Sequence, residues 1–88
     1  MKVTIVPSDR FIRRDDNAAN LPSWPFDDAN IHAIQWYDTY GEIEFNGTPK
    51  PLNQEINTAD MLLPYLEALD EYLAQKQDDP VIDWSEQP

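Results

Sequence analysis

IHAIQWYDTYGEIEF, residues 31–45, is the densest apolar and aromatic run in this chain. Apolar and polar residues alternate in both halves of the run, which is typical of strands that bury one face. The tetrapeptide DTYG at 38–41 separates the halves and has turn chemistry, and Gly41 can take the positive φ that tight hairpin loops demand. The stretch therefore predicts a β-hairpin at the centre of a small sheet.

Strict alternation assigns the side chains of this hairpin to two faces. In the first strand, Ile31 and Tyr37 fall on one face, whereas His32 and Trp36 fall on the other. In the second strand, EIEF at 42–45, the two apolar residues are expected in the core and the two glutamates in water.

Two segments upstream predict a second hairpin. KVTIV at 2–6 is β-branched and alternates, and after a Pro-Ser-Asp turn RFIRR at 10–14 can return as its partner strand. The following segment, 15–30, predicts a long loop because Pro22 and Pro25 exclude regular pairing.

Residues 57–77 predict one amphipathic helix. Its leucines recur at spacings of four, three and four residues, which makes an apolar stripe along one side. Pro64 leaves two alternatives open. Either the helix begins near residue 58 and is kinked at the proline, or it begins near residue 63 with the proline in its first turn.

These segments together predict an α+β fold. A small antiparallel sheet of about four strands in two hairpins packs against one C-terminal helix. We assign residues 1–77 to a single domain and residues 78–88 to an acidic C-terminal tail, since a chain of 88 residues makes one domain at most.

Charge is the strongest compositional signal. The formal net charge is -11, and residues 17–88 carry fourteen acidic side chains against two basic ones. Direct nucleic-acid binding is not expected, because phosphate backbones repel such a chain. The high charge either serves solubility or suits a partner with a basic surface.

The sequence also points to a compartment. The chain has no cysteine, which fits a reducing cytosol. It has neither a run of about 20 apolar residues nor a signal-like start, so no membrane association is expected. We therefore expect a soluble, cytoplasmic protein.

Catalytic chemistry is poorly provided for. There is no thiol nucleophile, the serines stand in no recognisable motif, and His32 is the sole histidine. We interpret His32 as a half-buried structural residue, and Glu42 and Glu44 as a solvated pair on a strand. We therefore predict a non-enzyme with no catalytic residues, no metal site and no cofactor.

Six aromatic residues are candidates for a partner-binding surface, because aromatic side chains dominate interface hot spots. They are Trp24, Phe26, Trp36, Tyr37, Tyr40 and Trp84. For the two in the proline-rich loop, packing on the core is the alternative that we favour, since a small core needs every large side chain. For the tryptophan of the acidic tail, the alternatives are a disordered terminus and a short segment that docks on a partner.

The run at 31–45 resembles a motif, IHA(V/I)QW…GEIE, found in small proteins encoded in the tail-gene regions of tailed bacteriophages and prophages. The matching residues are Ile31, His32, Ala33, Gln35, Trp36, Gly41, Glu42, Ile43 and Glu44. The resemblance covers about half of the chain and implies a phage-encoded accessory protein concerned with tail or tail-fibre assembly. It implies no functional residues.

The function expected from these observations is non-enzymatic binding of a protein partner, such as a phage tail component. The alternative is an acidic inhibitor that occupies the basic groove of a host nucleic-acid-binding or defence protein. A homodimer is also plausible, since a short sheet with an uncovered face or edge can pair with its copy.

Overall fold

A computed structural model of the chain describes residues 1–77. It contains a six-stranded antiparallel sheet in the order β3-β2-β1-β4-β5-β6, with one helix on a single face. The elements are β1 (Lys2–Val6), β2 (Phe11–Arg14), β3 (Asn17–Asn20), β4 (Ile31–Tyr37), β5 (Gly41–Phe45), β6 (Gln54–Ile56) and α1 (Leu63–Gln77). The predicted α+β class is confirmed, and the tail at 78–88 lies outside the described residues.

The sheet consists of two three-stranded meanders. Residues 2–20 form β1, β2 and β3, and residues 31–56 form β4, β5 and β6. The first strands of the two meanders pair with each other, so that Val3 lies opposite Trp36 and Ile5 opposite Ile34. This pairing makes one continuous sheet from two locally closed units.

The sheet has two strands more than the four that the sequence predicts. β3 lies inside the segment predicted as a loop, and β6 follows the prolines after β5. The sequence NAAN of β3 has little β propensity, but the register of β2 holds it, with Ile12 opposite Ala19. Asp15, with φ 53, closes the tight turn before it.

A β-bulge overturns the strict alternation predicted for β4. The register with β5 shifts between Ile31 and Ala33, so one extra residue is accommodated in β4. As a result Ile31 packs against the core on the side of Trp36, whereas His32 is exposed. The predicted grouping of Ile31 with Tyr37 is therefore wrong.

The core lies between the sheet and α1. Its fully buried side chains come from both meanders and from the helical segment, and the largest are Ile5, Ile12, Ile34, Leu62, Leu69 and Val3. A short 3-10 turn, Asp60–Leu62, precedes the helix. The regular helix begins at Leu63 with Pro64 in its first turn, which confirms the second of the two alternatives.

An ion pair fixes the helix on the first meander. Arg14 of β2 donates two hydrogen bonds to the carboxylate of Asp70. The hydrogen bond and the positive charge hold the pKa of Asp70 below its ordinary value. Asp70 is exposed and Arg14 is partly buried, so solvent screens the pair, and it orients the helix more than it stabilises the fold.

Gly41 has a steric role and no positive φ. The residue with positive φ in the β4–β5 loop is Asp38, at 74°. A Cβ on Gly41 would lie 2.3 Å from the carbonyl oxygen of Gln35 and 2.9 Å from Cε3 of Trp36. The close approach of the Gln35 carbonyl oxygen, with the Trp36 ring beside it, therefore requires glycine here.

We predict that Gly41→Ala destabilises the protein by about 1–3 kcal/mol, the usual cost of overpacking a closely packed site. Urea unfolding followed by tryptophan fluorescence measures the change. Equal stability of Gly41→Ala and the wild type would contradict the steric explanation.

Candidate protein interface

The structure separates the six aromatic residues predicted to bind a partner. Trp24 and Phe26 are half-buried and pack on Tyr65 of α1, with ring centroids 5.7 Å and 4.3 Å from the tyrosine ring. Trp36 is 5% exposed and belongs to the core. Trp84 lies outside the described residues. Of the six, Tyr37 and Tyr40 remain together on the surface.

Asp28, which the sequence analysis missed, holds the proline-rich loop on the helix. Its carboxylate is 5% exposed and accepts hydrogen bonds from Nε1 of Trp24 at 3.0 Å and from the hydroxyl of Tyr65 at 2.7 Å. A buried carboxylate is tolerated only when hydrogen bonds replace its water. The two neutral donors supply these bonds, so the aromatic loop packs as we favoured.

The same contact changes the acidity of Tyr65. Burial first, and then the hydrogen bond to the negatively charged Asp28, raise the pKa of the Tyr65 hydroxyl well above its ordinary value. The neutral phenol is thus the form that the fold stabilises.

Tyr37 and Tyr40 form an exposed pair at the end of the β4–β5 hairpin. Their ring centroids lie 5.3 Å apart, and the side chains are 40% and 45% exposed. The amide of Tyr37 donates to the carbonyl of Tyr40 at 2.7 Å, and the amide of Thr39 donates to the carbonyl of Tyr37 at 2.9 Å. These bonds close a tight loop around Asp38, and the loop places the two rings side by side.

Both tyrosines lie on the face of the sheet opposite α1, which we call the open face because no described element packs on it. The register between strands places the side chains on this face. The polar residues and Tyr37 on this face are Lys2, Thr4, Arg13, Asn20, Gln35, Tyr37, Glu42, Glu44 and Glu55, and Tyr40 packs against Tyr37. The small and apolar residues on it are Val6, Phe11, Ala18 and Ala33.

Charge on the open face is divided by strand. Lys2 of β1 and Arg13 of β2 lie on one half, and three glutamates of β5 and β6 lie on the other. On that second half, Nζ of Lys50 lies 3.5 Å from Oε1 of Glu44. In the middle, the hydroxyl of Thr4 donates to Oε1 of Gln35 at 2.9 Å. Glu42 lies directly opposite Glu55, an arrangement of like charges that costs stability. The open face thus combines an aromatic pair with separated charges.

Two surface clefts lie among the described residues 1–77. His32 is exposed and lines a shallow depression of about 200 Å³ with Phe45, Asn46, Gly47 and Lys50. A second cleft, of about 300 Å³, lies between the loop at 21–25 and the outer side of α1. In this part of the chain no three metal-binding side chains lie close enough to share an ion.

Comparison with known proteins adds no relative, since no family model, no curated protein and no solved structure matches this chain. Among the described residues, no helix has the length and apolar character needed to cross a membrane. The candidate interface therefore stands on the geometry of the open face.

The sequence could have located part of this surface. Alternation in β1 and β4 already separates Thr4 and Gln35 from the buried positions. The pairing of β1 with β4 joins residues about thirty positions apart in the chain, and no local sequence pattern predicts it. The sequence therefore does not indicate that Lys2 and Arg13 lie on the same face of the sheet as the two tyrosines.

We predict that Asp28→Ala lowers the free energy of unfolding by about 1–3 kcal/mol, because the buried Tyr65 hydroxyl and the half-buried Trp24 indole lose their acceptor. Asp27→Ala, at the exposed neighbouring position, is the matched control and should leave stability within about 0.5 kcal/mol. Urea denaturation compares the two variants. If both variants lost the same stability, the carboxylate of Asp28 would not be holding the loop.

Stability should also fall in alkali. The raised pKa of Tyr65 means that its contribution is fully present below the ordinary tyrosine pKa of about 10 and is lost as pH rises above it. Urea midpoints measured from pH 8 to 11.5 should show this decline. Tyr65→Phe should flatten it, whereas Tyr40→Phe, at an exposed ring, should leave it unchanged.

Proposed function

We propose that this protein is a non-enzymatic accessory protein that binds another protein through the tyrosine end of the open face. The observation that carries the proposal is the exposed, side-by-side arrangement of Tyr37 and Tyr40. The other candidate aromatics among residues 1–77 are used in packing. Tyrosine gives a large, rigid contact area at low entropic cost and is enriched in interface hot spots.

The expected partner is a component of a phage tail or tail fibre. The motif at 31–45 supports this context, and the tyrosine pair lies within that same stretch. We propose that the protein acts in the cytoplasm of the host cell, where it meets tail proteins during assembly. Association with the finished virion is the alternative.

A second candidate function is charge mimicry toward a basic host protein. The unrelieved pair of Glu42 and Glu55 favours it, because a basic surface would remove the repulsion between them. Direct binding to nucleic acid is not part of either proposal, since the chain carries a net charge of -11.

The double variant Tyr37→Ala/Tyr40→Ala should reduce capture of the partner at least tenfold, because hot-spot residues each contribute about 2 kcal/mol or more. Capture is measured from phage-infected or lysogenic cells, with quantification of the bound tail proteins. The matched control is Leu52→Ala, which removes an exposed apolar side chain of 92% exposure away from the tyrosines.

Equal capture by the double variant and the wild type would refute a role for the tyrosines. Recovery of basic nucleases in place of tail proteins, with binding that weakens steeply as salt rises, would favour charge mimicry instead. Far-ultraviolet circular dichroism of each variant establishes that the sheet is intact.

A further inference from the structure

We infer that the open face docks on the open face of a second copy of this chain, related by a two-fold axis that runs parallel to the strands. The inference rests on the proposed function, in that both treat the open face as an interface, and it names one partner for that face. The argument comes from the arrangement of charge across a single row of side chains.

That row crosses the sheet through consecutive cross-strand pairs. It runs from Ala18 through Arg13, Thr4, Gln35 and Glu42 to Glu55. Within the row, the cation has only small or neutral neighbours directly opposite it, and Glu42 lies between an amide and another carboxylate. Arg13 on β2 and Glu42 on β5 are three strand spacings apart, or about 14 Å, too far to pair within one molecule.

A second copy supplies the missing partners. A two-fold axis that runs between β1 and β4, parallel to them, lays β2 of one copy over β5 of the other. Each row of side chains then faces the same row of the second copy. Arg13 then meets Glu42 of the second copy, and Glu42 meets the second Arg13. One charge pair is thus formed twice, as an isologous interface requires.

The row of the tyrosine pair and the other possible axis support this choice. In the row of the tyrosine pair, Lys2 lies opposite Tyr37. The same axis therefore brings each lysine over a tyrosine ring of the other copy, a favourable cation–π arrangement. The alternative two-fold axis lies in the plane of the sheet, perpendicular to the strands and along the row that contains Arg13 and Glu42. It would place Arg13 over Arg13 and Glu42 over Glu42, which like-charge repulsion disfavours.

The size of the face limits the strength of this dimer. Six strands about 4.8 Å apart and about five residues long cover roughly 500 Å² on each copy. The total of about 1,000 Å² lies at the lower end for specific interfaces, and the charge of -11 on each copy opposes association. We therefore expect a weak, reversible dimer that a tighter partner at the tyrosine end can displace.

Charge reversal tests the inference with the whole chain. In a dimer of Arg13→Glu, each new glutamate lies over Glu42 of the other copy, and in a dimer of Glu42→Arg each new arginine lies over Arg13. Each variant should therefore dimerise at least about tenfold more weakly than the wild type. An equimolar mixture of the two variants forms two complementary pairs and should dimerise as well as the wild type. The double variant Arg13→Glu/Glu42→Arg should do the same on its own.

Sedimentation equilibrium over a range of protein concentrations gives each association constant. Controls with the same change in net charge are Lys76→Glu for the first variant and Glu67→Arg for the second, both at exposed positions of α1. Each control should dimerise as the wild type does. Far-ultraviolet circular dichroism confirms folding, and the double variant tests the pairing even if one single variant does not fold.

A wild-type protein that remains monomeric at concentrations up to about 1 mM would overturn the inference, and so would single variants that dimerise like the wild type. Failure of the mixture to recover dimerisation would likewise exclude the proposed axis. These results would leave partner capture through Tyr37 and Tyr40 standing, because that experiment changes the two tyrosines and measures captured tail proteins, whereas these variants change Arg13 and Glu42.

Discussion

The antiparallel pairing of β1 with β4 is the interaction on which the rest of the structure depends. Each three-stranded meander closes through short local turns, and neither presents a surface wide enough for α1. Pairing Val3 with Trp36 and Ile5 with Ile34 places the large side chains of both meanders under the helix. One helix can then cover one face of the whole sheet, and the opposite face is left for water or for a partner.

The connection between the two meanders does more than span the distance from β3 to β4. It carries Trp24 and Phe26 onto Tyr65, and the buried carboxylate of Asp28 holds these rings in place. Burial of a carboxylate is costly, and its hydrogen bonds to Trp24 and Tyr65 offset that cost and fix the conformation of the loop. Its consequence for function is that two large aromatic side chains are withdrawn from the surface.

The sequence predicts the elements whose signals are local. Alternation and turn chemistry are enough for the hairpin at 31–45, and leucine spacing is enough for α1. The sequence does not predict β3, because Asn and Ala have low strand propensity. Antiparallel pairing with β2 is what holds this segment extended. The bulge between Ile31 and Ala33 was missed because the same letters fit an unbroken alternation.

The candidate interface was predictable in its parts and unpredictable in its assembly. Tyr37 and Tyr40 belong to the predicted hairpin, but their exposure follows from which face α1 covers. The sequence identifies Gly41 as a turn residue, whereas its actual constraint is the Gln35 carbonyl oxygen and the Trp36 ring, which leave no room for a Cβ. Asp28 looks like one of many solvated acids, and its burial depends on a loop conformation that no local pattern encodes.

An antiparallel sheet that only faces water gains from placing opposite charges opposite each other, because such cross-strand pairs are favourable and like pairs are not. This sheet does the reverse: Glu42 lies opposite Glu55, and Arg13 lies between alanine and threonine. The cost of that arrangement within one molecule is small but is not offset by any contact among the described residues. Pairing across an interface offsets it, and the division of charge by strand is the form that a two-fold axis along the strands requires.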